Sequence, residues 1–118
     1  MTTSMLMALL MAFAQVESSN RNLAPYHDRN GLAFGFYGFH ESRWCEMGGD
    51  PAKFGKATRL EQDAVMVVAL RRYAASKPAD VDLITWVSTY HNAGHGHRTP
   101  SKYTEKILRA YENQTQTH

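Results

Sequence analysis

The sequence predicts a mainly α fold: one helical domain over residues 1–118, interrupted after its first helix by a glycine- and aromatic-rich loop or short hairpin. Three observations carry that reading. A nearly unbroken apolar run, Met5 to Ala14, opens the chain. Capping signals at Asp50-Pro51 and Thr58-Arg59-Leu60-Glu61 start helical segments in the middle. Near the end, Tyr103, Ile107, Leu108 and Tyr111 recur at helical spacing. A length of 118 residues suffices for one core and not for two, and 43% hydrophobic against 20% charged residues is the balance of a folded domain.

Thr2, Thr3 or Ser4 can cap a first helix from about Met5 to Ser18, and Ser18-Ser19-Asn20 end its pattern. Its side chains are apolar nearly all round, so it should lie at the centre of the core. The same run imitates the core of a signal peptide, with Ala12-Phe13-Ala14 as a cleavage pattern, but no Lys or Arg precedes it. We read it as the first core helix, with a signal peptide as the alternative. It is too short for the roughly 20 apolar residues that span a bilayer, so no membrane insertion is expected.

Residues 19–40 hold few helix formers and carry Pro25, Gly31, Gly35 and Gly38 among aromatics, the composition of a long functional loop. Glycine alternates with large apolar groups from Gly31 to Phe39, letting backbone approach a ligand while rings form a wall; a tight turn packed on the core fits the pattern equally well. Asp50-Pro51 opens a short turn. The capping box at Thr58 starts a helix carried by Leu60, Ala64, Val67, Val68 and residues 71–75 to Lys77-Pro78. A third long helix is expected from about Asp80 to Tyr90, burying Val81, Ile84, Trp86 or Val87, and Thr99-Pro100 starts the last. The polar tail, residues 113–118, is expected to fray.

The 13 basic and 11 acidic residues are spread along the chain, leaving no basic tract to track a phosphate backbone, so nucleic acid is not an expected partner. Cys45 stands alone, excluding an intrachain disulfide and a cysteine-based zinc site; it reads as a buried or half-buried structural residue. Between the last two helices, Tyr90-His91-Asn92-Ala93-Gly94-His95-Gly96-His97 concentrates imidazoles, a phenol and an amide in what reads as a sharply bent loop. Its three histidines match no helix-borne metal spacing and no Glu stands between them as a base, so solvated histidines are the expectation and no metal is assigned. Nucleophile elbow, phosphate loop and dinucleotide fingerprint are all lacking.

Glu17 stands where the apolar helix meets a polar loop. A carboxyl there is partly desolvated, which raises its pKa toward the range useful for proton transfer; an ordinary solvated glutamate in a last helical turn is the bland alternative.

The order of segments resembles the lysozyme-like soluble lytic transglycosylase family over about Met5 to Tyr111. An apolar helix ends in Glu17-Ser18, a glycine and aromatic loop contains Gly35-Phe36-Tyr37, Asn92-Ala93-Gly94 follows a helix, and a closing helix carries Tyr103. The resemblance implies an α+β lysozyme-like fold that cleaves β-1,4 bonds of peptidoglycan glycan strands without a cofactor. It implies that Glu17 is the catalytic acid and base, supported by Ser18, that Gly35, Phe36 and Tyr37 form part of the sugar-binding wall, and that Asn92, Ala93 and Gly94 frame the cleft opposite. Two positions depart from the pattern: Gly38 stands where the family has Gln, and His91 where it has Tyr, with Tyr90 one place earlier. These departures leave open which of Tyr90 and His91 faces Glu17, and keep alive a catalytically weak structural or wall-binding module. Asp28 and Glu41 are the acids near the loop that a hydrolytic version would use, although Asp28 reads more simply as a turn residue. A small domain with no clear export signal or wall-binding repeat is consistent with a bacteriophage protein. Its expected places are then the virion, or the host cytoplasm followed by periplasm and cell wall, with other virion proteins as partners.

Overall fold

The computed structural model describes residues 1–116, as five α-helices and a small antiparallel sheet. Helix α1 (Thr3–Ser18) begins where the Thr2 hydroxyl accepts from the Met5 N–H, and ends in a left-handed Ser19. It buries Leu6, Ala8, Leu9, Leu10, Ala12, Phe13 and Ala14, leaving Met7 and Met11 exposed, and packs chiefly against α5 (Lys102–Gln116) and also against α3 (Arg59–Ala75). Its near-uniform apolarity therefore corresponds to central burial, as expected. No helix among the described residues is long and apolar enough to cross a membrane.

The glycine-rich region folds as three short strands, β1 (Tyr26–Asp28), β2 (Gly31–Phe34) and β3 (Phe39–His40), in the order β1-β2-β3. Tyr26 pairs with Ala33 and Ala33 with His40, so these three share one face, together with Asp28 two residues along β1. On the other face Phe34 and Phe39 meet Trp44 edge-on, and Phe34 also meets Phe54. Trp44 belongs to α2 (Glu41–Glu46), a helix of six residues whose signal is too brief for periodicity to find. Cys45, on the same helix, is exposed and not structural as expected, because Trp44 is the residue α2 buries.

Asp50 caps a single 3-10 turn at Pro51–Lys53, and Thr58 and Glu61 form the anticipated capping box at α3. The buried stripe of α3 differs from expectation. Leu60 is 80% exposed, while Gln62, Val65, Met66, Ala69, Leu70 and Tyr73 turn inward. Gln62 tolerates burial because its amide is fully used: it accepts from the Phe36 N–H at 2.9 Å and donates to Asn22 Oδ1 and the Ala57 carbonyl.

Helix α4 (Leu83–Ala93) begins later than expected, capped by Asp82, and runs past Tyr90 to take in His91, Asn92 and Ala93. Val81, Trp86 and Val87 are buried and Ile84 partly so. Gly94, at φ +97, ends the helix in a conformation other residues rarely adopt. Helix α5 starts at Lys102 and continues to Gln116, through part of the tail expected to fray; residues 117 and 118 lie outside the described residues.

Candidate functional site

Glu17 occupies the last turn of α1, where two physical effects disfavour its charge. Burial among apolar groups removes water, and the negative end of the helix dipole lies close, with no basic residue in that turn to offset it. The hydroxyl of Tyr103, on α5, donates to Glu17 Oε1. Desolvation outweighs this hydrogen bond and the attraction of His40, so the carboxyl is pushed above the ordinary glutamate pKa, with the negative Asp28 adding to the rise. Burial, and then the nearby Glu17 carboxyl, raise the Tyr103 and Tyr26 hydroxyls.

Gly38 completes this surrounding. A Cβ there would fall on Glu17 Oε2, with the Tyr26 hydroxyl 3.6 Å away, and its φ of +65 is itself strained for any other residue. Gly38 thus has a physical reason of its own: no side chain fits between this backbone and the carboxyl. Asp28 and His40, on the Tyr26 face of the sheet, form a pair in which His40 Nε2 donates to both carboxylate oxygens at 2.8 and 2.9 Å. Gly31, opposite Asp28, places no side chain between them. The His40 hydrogen bond holds Asp28 below the usual carboxylate range, and its Oδ1 also accepts from the Asn30 N–H as a turn residue would.

A polar cleft of about 210 Å³ lies between Gly38, Phe39 and His40 with Ser42 and Arg43 on one side and residues 91–94 on the other. It shares Asn30, Asn92 and Ala93 with a wider hollow of about 650 Å³ edged by Asp28 and Arg29. Glu17 sits behind Gly38 and not on the cleft wall itself.

Several expected site residues lie elsewhere. Gly35, Phe36 and Tyr37 turn inward onto α3: a Cβ at Gly35 would strike Gln62 Oε1, Phe36 lies under the Arg59 guanidinium at 3.9 Å, and fully buried Tyr37 donates to Asp63. Gly35 and Tyr37 are buried, and Phe36 is partly exposed. Ser18 does not touch Glu17; its hydroxyl meets the Ala14 and Phe36 carbonyls and accepts from the Arg21 N–H, anchoring the turn that precedes Gly38. Tyr90 stacks on Tyr73 at 4.4 Å, under the Arg43 guanidinium and away from Glu17. Glu41 is exposed at the start of α2.

His91 is fixed by directional bonding. Arg43 can only donate, so the Tyr73 hydroxyl accepts from it at 3.0 Å and gives its own proton to His91 Nδ1 at 2.9 Å; Nε2–H then donates to the Tyr37 carbonyl at 2.8 Å. With Phe13 and Phe39 edge-on to the ring, burial pushes its pKa down to about 4 and the imidazole is neutral. Neither Tyr90 nor His91 bonds Glu17; Tyr103 does. His95 packs against Trp86 and Tyr90, and no group of three His, Cys, Asp or Glu among the described residues converges to hold a metal.

Sequence reading missed Tyr26, His40 and the Glu17–Tyr103 bond. Strands of two to four residues are too short for an alternation signal, and only the position of Tyr103 on the apolar stripe of α5 hinted that it faces α1. No family model, curated protein or solved structure matches this chain.

Proposed function

We propose that this chain cleaves β-1,4 glycosidic bonds in peptidoglycan glycan strands as a lytic transglycosylase, with Glu17 as general acid and then base. One observation carries the reading: a carboxyl with a raised pKa, gripped by the Tyr103 hydroxyl, stands behind a single glycine beside a polar cleft. A carboxyl whose pKa is raised holds its proton to higher pH and can give it to the leaving glycosidic oxygen. As a carboxylate it then takes the proton of the sugar's own 6-hydroxyl as that oxygen closes on C1, leaving a 1,6-anhydromuramyl end. Tyr103 holds the carboxyl in place and stabilises the anion between the two transfers. Asn92 and Ala93 border the space opposite, where a glycan strand would lie. The seat of action would be the cell wall, reached from a virion or at host lysis.

A hydrolytic version is favoured by one feature. Asp28 is held below the ordinary carboxylate pKa beside the wider hollow while Glu17 is raised above it, the direction of split that two-carboxylate glycosidases use. Mass spectrometry of digested sacculi separates the outcomes: anhydromuramyl ends are expected, and reducing ends would support hydrolysis. Glu17→Gln should lower turbidity clearing by at least about 100-fold, the usual worth of a general acid. Equal clearing by the variant would remove Glu17 from catalysis, and absence of clearing by the wild type would leave a wall-binding or virion structural module.

A further inference from the structure

The pair formed by Asp28 and His40 ties β1 to β3 across β2, and its geometry also prepares the imidazole. His40 occupies the position before α2, yet its side chain makes no capping bond there. Both Asp28 oxygens are spent on one ring nitrogen, an arrangement that fixes the tautomer with the proton on Nε2 and leaves the lone pair on Nδ1. Nδ1 has no hydrogen-bond partner among the described residues, and His40 borders the same cleft as Gly38. A carboxylate that orients an imidazole whose other nitrogen is free is how proteins prepare a base.

We infer that His40, oriented by Asp28, is a second proton-handling group of the site: Nδ1 accepts the proton of the attacking hydroxyl while Glu17 protonates the leaving oxygen. The inference rests on the glycan-cleaving reading, keeps Glu17 as the general acid and transfers the base step from Glu17 to His40. In one turnover the Glu17 carboxyl gives its proton to the leaving oxygen, the bond from C1 to that oxygen breaks, and the substrate's 6-oxygen bonds to C1. The proton of that hydroxyl passes to Nδ1. Glu17 is then a carboxylate and His40 an imidazolium, and a proton moving from one to the other through solvent restores both. The division spares Glu17 from serving as acid and base in quick succession. Asp28 is a positioning residue in this scheme and touches no reacting atom.

The charged and titratable groups facing His40 are Asp28 on β1, Glu17 on α1, Arg43 on α2 and His91 on α4, with the Tyr26 hydroxyl beside Glu17. His91 is neutral, so Asp28, joined by Glu17 once it has given up its proton, sets the charge felt by the ring against the cation of Arg43.

The test compares His40→Ala, Asp28→Asn and Glu17→Gln on purified peptidoglycan, with folding checked by thermal melts. His40→Ala should lower kcat about 100-fold at little change in KM, and added imidazole should restore part of it by filling the vacated space. Asp28→Asn should cost about tenfold in kcat with KM little changed, because the imidazole is still present but no longer held in its tautomer and orientation. A folded His40→Ala variant with full activity, or one whose loss imidazole does not relieve, overturns the inference. The two readings fail separately: an active Glu17→Gln removes the glycan-cleaving assignment and this one with it, whereas an inactive Glu17→Gln beside an active His40→Ala removes only the role of His40.

Discussion

Two helices of this protein end on a polar residue pressed into the core, and the two are treated in opposite ways. At the end of α4, both ring nitrogens of His91 are bonded, Tyr73 and Arg43 complete a chain in which every donor has an acceptor, and the group is neutral at any pH above about 4. At the end of α1, Glu17 has one hydroxyl donor, a helix end of unfavourable sign, and a raised pKa. The first arrangement joins α4 to the turn at Tyr37 and holds the cleft wall in place. The second leaves a carboxyl poised between its two protonation states. A buried polar group that is fully satisfied serves stability; one that is only half satisfied costs stability, and in this protein the half-satisfied one lies beside the cleft.

Removing the satisfied group should therefore produce the largest effect on folding. His91→Ala would orphan the Tyr37 carbonyl and the Tyr73 hydroxyl and open a cavity between Phe13 and Phe39. Destabilisation of about 4 kcal/mol is expected, read as a lowered urea midpoint with unchanged slope. A loss below about 1 kcal/mol would mean that the hydrogen-bond chain contributes little and that the contrast with Glu17 is false.

The titration of His91 gives the next largest effect. Its folded pKa is depressed to about 4 from an ordinary 6.5, so the unfolded chain binds the proton first. The stability it contributes is complete above pH 6.5 and is lost as the pH falls through about 4, a change of up to roughly 3 kcal/mol. His91→Gln, which cannot titrate, should flatten that window relative to wild type; identical pH profiles for the two proteins would show that another group governs acid unfolding.

Gly38 tests the other side of the comparison. Gly38→Ala forces a Cβ onto Glu17 Oε2 at a positive φ, and about 2 kcal/mol of stability should be lost along with at least tenfold in activity. Gly38→Gln, although it installs the residue of the resembling family, should be no better, because the collision begins at Cβ. A gain of activity with Gln would show that the turn opens to admit it.

How far the sequence reaches follows from the range of the forces that make each element. Caps are local chemistry, and Thr2, Asp50 and Thr58 with Glu61 act where short-range reading finds them, while the Asp82 cap starts its helix a few residues after the expected Asp80. The end of α4 was not legible, because Asn92 and Gly94 read as breakers while the tertiary contacts of His91 carry the helix through Ala93. Exposed Leu60 and buried Gln62 reversed the apolar stripe of α3, since the turn at Gly35 and Phe36 needs an amide there more than the core needs a leucine. Glu17 was legible as an acid at the end of an apolar helix. Its partners Tyr103, Tyr26 and His40 come from other elements, and nothing local in the chain announces contacts spanning up to 86 residues.

The smallest effect is the sharpest test of the comparison. If Glu17 is held against its preference, Glu17→Gln should make the protein more stable at neutral pH even as it stops the reaction. The folded pKa is raised, so the folded state binds the proton more tightly than the unfolded chain. The stability linked to Glu17 is therefore complete below the unfolded value of 4.5 and is lost as the pH climbs through the folded value. Gln mimics the protonated acid, still accepts from Tyr103, and carries no charge to desolvate. At pH 7 a gain of about 1 kcal/mol is expected, roughly 3–5 °C in Tm, shrinking to nothing near pH 4. A variant less stable than wild type at pH 7 would mean that the Tyr103 hydrogen bond outweighs the cost of burying the charge, and Glu17 would then be a satisfied group like His91.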